Sequence, residues 1–193
     1  SGYSVSIDQT YINSANKTAL SFTFSGAEVG ATYNYTISNG AQPVSDSDTI
    51  ISATQQISGI DVSGISDGTL TLSVTLTDTA LNTGGAATDT ITKDTAAPSA
   101  IETTPVAALA NDVTPNIIIT VESGAAWQIK NSSTVLNSDT GTGSARTVTI
   151  PSSGELADGT YNLTLNAVDA AGNTAAISLT QFVVDTLDPV AEM

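Results

Sequence analysis

The sequence of 193 residues lacks cysteine and histidine altogether. Without cysteine, no disulfide can stabilise the fold, and cysteine usage gives no information about the redox compartment. Without histidine, the chain lacks the commonest general base and the commonest transition-metal ligand. Neither a Ser-His-Asp nor a Cys-His arrangement can therefore exist in this protein.

Basic residues are scarce. Four of them, Lys17, Lys93, Lys130 and Arg146, face 19 acidic residues, which gives a net charge of −15. Such a field repels the phosphates of nucleic acids and the anionic surface of membranes, so we expect neither partner. It attracts cations instead. Solubility is the open alternative explanation, because acidic surfaces resist aggregation.

Long apolar runs are also absent. No stretch reaches 18 apolar residues, so we expect no membrane-spanning segment and no direct membrane insertion. Apolar residues make up 40% of the chain but aromatic residues only 5%, which suits small β cores better than one large core. No signal peptide is visible, and the abrupt start at Ser1-Gly2 suggests an excised piece of a longer protein.

The sequence does contain an internal repeat. Residues 67–98 and 158–189 align without a gap and are identical at 11 of 32 positions. We therefore predict two tandem domains, residues 1–97 and 98–193, joined by a linker too short to act as a flexible tether. The repeat preserves three oxygen-rich elements: the Asp-Gly-Thr turn at Asp67 and Asp158, the Asp-x-x-x-Asn turn at Asp78–Asn82 and Asp169–Asn173, and the Asp-Thr-x-x-Pro linker at Asp94 and Asp185.

Apolar residues alternate with hydroxyl-bearing residues at a period of two, which indicates half-buried strands. No segment of helical length has a 3.6-residue apolar period. We predict strands at Leu70–Thr77, Tyr161–Val168, Ala19–Phe24, Asn116–Val121, Tyr33–Ile37 and Trp127–Ile129. Short strands separated by Gly, Asn, Asp and Ser turns favour an all-β chain of two tandem immunoglobulin-like β-sandwich domains, each a Greek key of about seven strands.

The third strand of each domain carries aromatic residues. We predict that Trp127 is the core aromatic of the second domain, with Tyr33 or Tyr35 in the equivalent place of the first. Exposed stacking against a sugar is the alternative.

The two ends of each domain are here called its N-terminal pole and C-terminal pole, since the first and last strands of a seven-stranded Greek key run from one to the other. The Asp-Gly-Thr turn precedes strand six and is predicted at the C-terminal pole. The Asp-x-x-x-Asn turn follows strand six and is predicted at the N-terminal pole.

Stacking the domains in chain order would bring Asp67, Asp94 and Thr95 of the first toward Asp169 and Asn173 of the second. Three carboxylates together repel one another unless a cation compensates them. Ca²⁺ accepts about six to eight oxygen ligands in a tolerant geometry, so we predict calcium at this junction. Mg²⁺ requires a tighter octahedron, and zinc and copper lack their usual ligands here.

Turn chemistry is the alternative explanation for any one of these motifs. Asp before Gly commonly forms turns, and Asp or Asn can bond the backbone of a tight turn. The local pattern of an EF-hand loop is not present. Asp46 and Asp48 form an isolated acidic pair that we expect to be solvated.

Two stretches resemble the bacterial Ig-like repeats of giant RTX adhesins and biofilm-associated surface proteins. They are "DGTYNLTLNAVDAAGNTAAISLTQFVVDTLDP" at Asp158–Pro189 and "SIDQTYINSANKTALSFTFSGAEVGATYNYTI" at Ser6–Ile37. The resemblance covers nearly all of the first domain and most of the second. It implies an extracellular extender at the bacterial surface, repeated many times, with calcium at the domain junctions.

Carried over by position, the resemblance assigns Asp94, Asp169 and Asn173 to the junction motif, with Asp67 as a contributor. It assigns Asp78 and Asn82 to a preceding junction. It assigns three further residues to a following junction: Asp158, Asp185 and Asp188. The second-choice ligands lie in the first inter-strand loops, at Asn13 to Asn16 and at Asn111-Asp112. Leu81 stands where Gly172 stands in the second domain, which puts the geometry of that turn in question.

The leading functional hypothesis is mechanical: a segment of an adhesin stalk that calcium stiffens, monomeric as an isolated pair, with neighbouring repeats of the same chain as its partners. The alternative is a module that binds a host glycan or protein through exposed loops, of which the polar stretch Asn131–Ser144 is the best candidate. We expect no enzyme. A carboxylate pair is the one acid–base arrangement left, and the acids repeat with the structural unit.

Overall fold

A computed structural model describes residues 2–188. The chain forms two compact units, which divide between Ala96 and Ala97. Every regular element in the described part is a β-strand, and no helix there could cross a bilayer. The all-β prediction is confirmed.

Unit 1 is a sandwich of seven strands. They are β1 (Ser4–Ile7), β2 (Leu20–Ser25), β3 (Thr32–Ser38), β4 (Val44–Thr49), β5 (Gln56–Ile60), β6 (Gly68–Thr77) and β7 (Ala87–Lys93). One sheet has the order β1-β2-β5 and the other β4-β3-β6-β7. All these pairings are antiparallel, and the chain alternates between the sheets as a Greek key does.

Unit 2 follows the same plan with interruptions. Its strands are β8 (Ala100–Thr104), β9 (Leu109–Ala110), β10 (Asn116–Val121), β11 (Ala126–Asn131), β12 (Thr134–Thr140), β13 (Arg146–Thr149), β14 (Gly159–Tyr161), β15 (Leu163–Val168), β16 (Thr174–Ser178) and β17 (Phe182–Val184). The larger sheets are β8-β10-β13 and β12-β11-β15-β16, and a small sheet has the order β14-β17-β9. The first, sixth and seventh strands of the plan are thus each broken into two segments.

The period-two pattern determines which side chains form each core. In β6, Leu70, Leu72, Val74 and Leu76 are buried, and the residues between them face outward. Burying each such side chain contributes about 1.5–3 kcal/mol.

The predicted aromatics lie in these cores. Tyr33 and Tyr35 are each 5% exposed, and Trp127 is 3% exposed. The sugar-stacking alternative is therefore wrong for these rings.

The prediction of a binding loop at residues 131–144 is wrong for the central part of that stretch. Thr134–Thr140 forms β12, an edge strand antiparallel to β11. Alternation is weak in this stretch because an edge strand has little core to cover, so its composition is similar to that of a loop.

Candidate metal centre

The C-terminal pole of unit 1 brings together Asp67 and Thr95. Gly68 pairs with Lys93 across β6 and β7, so the residues just beyond the pair are neighbours. The Thr95 N–H donates to Asp67 Oδ2 at 2.8 Å, and the Thr95 hydroxyl lies 3.0 and 3.1 Å from the two carboxylate oxygens. The predicted pole of the Asp-Gly-Thr turn is thus confirmed for unit 1.

The segment before β2 reaches the same pole. Ile12 forms a parallel bridge with Lys93, and its carbonyl accepts the N–H of Asp94 at 2.8 Å. The predicted second-choice ligands follow directly, but they close a turn on themselves. Asn16 Oδ1 accepts the Asn13 N–H at 2.7 Å, and Asn13 Oδ1 accepts the Asn16 N–H at 3.2 Å.

A buried lysine, which the sequence reasoning missed, contacts this pole. Lys93 is only 3% exposed, and its ammonium group donates to the carbonyl of Ile65 and lies 3.2 Å from Asp67 Oδ1. Burial acts to raise the pKa of Asp67, but the bonds from Thr95 and Lys93 together hold that pKa below its usual value. The sequence signal was available: Lys93 lies in phase with the buried Ile91.

The C-terminal pole of unit 2 has the equivalent hydrogen bonds but lacks the lysine. Asp158 Oδ1 accepts the N–H of Thr186 at 3.0 Å and its hydroxyl at 2.9 Å. The N–H of Asp185 donates to the carbonyl of Ala110 at 2.9 Å, as Asp94 does to Ile12. Val184, 1% exposed, stands where Lys93 stands in unit 1.

Two of the remaining predicted ligands at this pole bond locally. Asp112 Oδ1 accepts the N–H of Thr114 at 2.8 Å, and Asp185 Oδ1 accepts the N–H of Leu187 at 3.1 Å. Asp188 is exposed and is the last described residue.

The Asp-x-x-x-Asn turns lie at the opposite poles and are held by their own end residues. Asp78 accepts the Asn82 N–H through Oδ1 and the Asn82 side-chain amide through Oδ2, both at 2.8 Å. The corresponding distances from Asp169 to Asn173 are 2.9 and 3.0 Å. The bonds from the side chain and backbone of Asn82 lower the pKa of Asp78. The turn-forming role left open by the sequence is therefore real in both repeats.

Leu81 does not change the geometry of the first turn. It adopts φ 69°, close to the φ of 88° at Gly172. The N–H of Asp78 reaches the carbonyl of Asn82 at 3.0 Å, and the N–H of Asp169 reaches that of Asn173 at 3.1 Å. Leu81 therefore occupies a conformation that favours glycine.

Two glutamates near these turns were also missed. Strand pairing places Thr32 opposite Thr77, so the turn before β3 lies beside the turn after β6. Glu28, Asp78 and Asn82 line one cavity of about 340 Å³ at the N-terminal pole of unit 1. The signal was a second repeated motif, Glu-x-Gly-Ala, which begins at Glu28 and again at Glu122.

The described part of the chain contains no cluster of acidic side chains that could hold a metal ion by itself. Among residues 2–188, no three His, Cys, Asp or Glu side chains lie close enough together to hold an ion. Each unit by itself pairs an aspartate with a Thr at one pole and an aspartate with an Asn at the other. Asp46 and Asp48 are exposed on the edge strand β4, as expected of a solvated pair.

The outer face of the four-stranded sheet in unit 1 is neutral and rich in hydroxyl groups. Its outward residues are Ser45, Ser47 and Thr49 on β4; Thr32, Asn34, Thr36 and Ser38 on β3; Thr69, Thr71, Ser73, Thr75 and Thr77 on β6; and Thr88, Thr90 and Thr92 on β7. All of them carry a hydroxyl group except Asn34. We call this surface the hydroxyl face. The corresponding face of unit 2 is mixed, with Ala126, Gln128 and Lys130 on β11.

The fold and the paired poles define an immunoglobulin-like repeat. The family model of the bacterial Ig-like domain matches residues 90–186, which is 97 of the 193 residues of the chain. The chain therefore belongs to the bacterial Ig-like domain family, and the resemblance to such repeats is confirmed. The match begins inside β7, seven residues before Ala97.

Two adhesin segments are among the solved structures to which this chain is similar. A tetra-tandem repeat from the extending region of a large adhesion protein is 20% identical over 96% of this chain and 49% of that chain, with a TM-score of 0.41. A Ca²⁺-stabilised adhesin with which an Antarctic bacterium reaches out and binds ice is 21% identical over 95% of this chain and 48% of that chain, with a TM-score of 0.49. The chain thus spans about half the length of each.

The fibronectin(III)-like modules of Clostridium thermocellum CbhA are 15% identical, covering 98% of this chain and 99% of that chain, with a TM-score of 0.48. No curated protein sequence matches this chain significantly.

Proposed function

We propose that this chain is an extender segment in the stalk of a large bacterial surface adhesin, outside the cell, that calcium bound at domain junctions makes rigid. The observation that carries the proposal is the repetition of oxygen ligands at both poles of both units. Asp67 with Thr95 recurs as Asp158 with Thr186, and the Asp-Asn pair of the turn after strand six recurs as well. A single active site would not repeat in this way.

The residues fit calcium unequally. Carboxylate and amide oxygens suit Ca²⁺, and Asp94, Asp169 and Asn173 are the proposed ligands of the junction between the units. We propose Glu122 as a further ligand, because the pairing of Ala126 with Val168 brings the turn before β11 near the turn after β15. Asp67 fits less well, because the ammonium group of Lys93 lies 3.2 Å from its carboxylate and already supplies a positive charge there.

Five more proposed ligands follow from the same repeat. Asp78 and Asn82 would serve a preceding junction, and Asp158, Asp185 and Asp188 a following one. Bound calcium would supply the positive charge that such groups of carboxylates lack in a chain of net charge −15.

Calcium removal tests the proposal. Extracellular calcium modules bind with Kd of about 10⁻⁴–10⁻³ M, so 10 mM calcium would add about 1.4–2.7 kcal/mol to the free energy of unfolding. That corresponds to an increase in Tm of about 5–20 °C for a domain of this size. We expect chelation to reverse the increase and to shorten the maximum dimension measured by small-angle scattering. An unchanged Tm and an unchanged dimension would refute the calcium role.

Paired variants test the ligand assignment. Asp94→Asn with Asp169→Asn should abolish the response of Tm to calcium. Asp46→Asn with Asp48→Asn is the matched control, because it removes the same charge from an exposed edge strand. If the control loses the response equally, the effect is one of net charge and the assigned ligands are wrong.

The hydroxyl face favours a second candidate function, adhesion to a neutral glycan. The outward residues of this face carry no charge, and their hydroxyl groups offer both donors and acceptors, which match an uncharged polyol surface. A glycan array would test this, with Thr36→Lys and Thr71→Lys as disrupting variants and Ser138→Lys on unit 2 as control. The stalk role predicts no glycan binding by any of these proteins.

A further inference from the structure

Lys93 occupies a position where an apolar residue is expected. β7 alternates, with Ile91 and Lys93 facing inward, and the equivalent residue in unit 2 is the buried Val184. A buried ammonium group is strongly unfavourable unless it is paired and hydrogen-bonded. Here both conditions are met, by the Asp67 carboxylate at 3.2 Å and by the carbonyl of Ile65.

The ammonium group changes what Asp67 can bind. Asp67 already accepts two donors from Thr95 and lies against a fixed positive charge. A divalent cation at the same carboxylate would be repelled by that ammonium group at short range. Asp158 has the same two bonds from Thr186, but its Oδ2 accepts no hydrogen bond within residues 2–188 and Val184 brings no charge.

We infer that Lys93 is the resident counter-ion of Asp67, so that Asp67 is excluded from calcium binding while the equivalent Asp158 is available for it. The inference refines the proposed function and rests on it for its biological meaning. The C-terminal poles of the two units therefore differ in their response to calcium, although their backbone frames and their Asp-Thr bonds are the same. In unit 1 the positive charge beside the aspartate comes from the side chain of Lys93, whereas in unit 2 it would come from a bound calcium ion.

Isothermal titration of the full chain with calcium chloride tests this. In the wild type, Asp67→Asn should leave the calcium affinity unchanged within about twofold, whereas Asp158→Asn should weaken or remove a site. Lys93→Gln should strengthen binding at Asp67 by about tenfold or more, or add a site, because the repelling charge is gone. The double variant Lys93→Gln, Asp67→Asn should lose that gain.

The substitutions are chosen to keep the fold. Gln retains a donor for the Ile65 carbonyl, and Lys130→Gln is the control with the same change in net charge. As a second variant, Val184→Lys should weaken calcium binding at Asp158. A double-mutant cycle of Lys93 and Asp67 in urea unfolding without calcium checks their pairing independently.

The outcomes separate the two claims. A gain of affinity in Lys93→Gln that depends on Asp67, together with weaker calcium binding by Asp158→Asn, supports the inference even if calcium leaves the Tm and the maximum dimension unchanged and the stalk proposal fails. Absence of that gain overturns the inference, as does weakened calcium binding by Asp67→Asn in the wild type. An equal gain in Lys130→Gln would also overturn it, since net charge would then be the cause.

Discussion

Leu81→Gly should stabilise unit 1. Leu81 adopts φ 69° in the turn that Asp78 and Asn82 close, while the equivalent turn of unit 2 has glycine there. The left-handed conformation costs a residue with a Cβ about 1–2 kcal/mol. The Leu81 side chain is 84% exposed, so removing it forfeits little burial.

The expected gain is smaller than the full strain. Glycine loses about 0.5–1 kcal/mol more conformational entropy on folding than a residue with a side chain. The net stabilisation should therefore be about 0.5–1 kcal/mol, or an increase of about 2–8 °C in the Tm of a domain of this size.

Scanning calorimetry and urea unfolding of the full chain measure this change. Ala80→Gly is the control, because it introduces the same residue in the same turn at a position without positive φ, and it should destabilise or have no effect. A lower Tm for Leu81→Gly, or an equal rise for Ala80→Gly, would refute the argument from backbone strain.

Two further predictions concern stability. Burial acts to raise the pKa of Asp8, but the hydrogen bonds that its carboxylate accepts from Ser21, Gln56 and Thr23 together lower it. The contribution of Asp8 to the free energy of unfolding is therefore present above about pH 4 and is lost as the pH falls through the lowered pKa of the folded state. The difference in Tm between wild type and Asp8→Asn should thus shrink toward pH 2, and a difference that grows there would contradict the sign. Gly141→Ala should destabilise unit 2 by about 1–3 kcal/mol in urea unfolding, because its Cβ would lie 2.1 Å from the carbonyl oxygen of Glu122. Gly64→Ala, which meets nothing within 4 Å, should leave unit 1 unchanged.

Alternation made much of the fold predictable. Asn116–Val121 is the strand predicted, and Leu70–Thr77 lies within β6. Both strands face a core on one side and solvent on the other, which is the condition that gives a period of two. The stretch at 131–144 lacked this signal because the edge strand β12 contributes little to the core.

The site was predictable in part. The repeat offset identified Asp67, Asp78 and their partners, because the same turn requires the same polar atoms in both units. Glu28 was missed since the Glu-x-Gly-Ala motif falls outside the aligned segment of the repeat. Lys93 was missed because it was counted only toward the net charge of the chain, although its position in the alternation of β7 indicated that its side chain is buried.

The sequence by itself determined the alternating strands and the repeated turns, since each depends on neighbours a few residues apart. Only the tertiary structure decided which oxygens are already bonded. Thr95 contacts Asp67 from 28 residues away, and Lys93 reaches Ile65 over the same separation. Such contacts depend on the register between β6 and β7, and a shift of one residue would turn Lys93 from the core to the solvent.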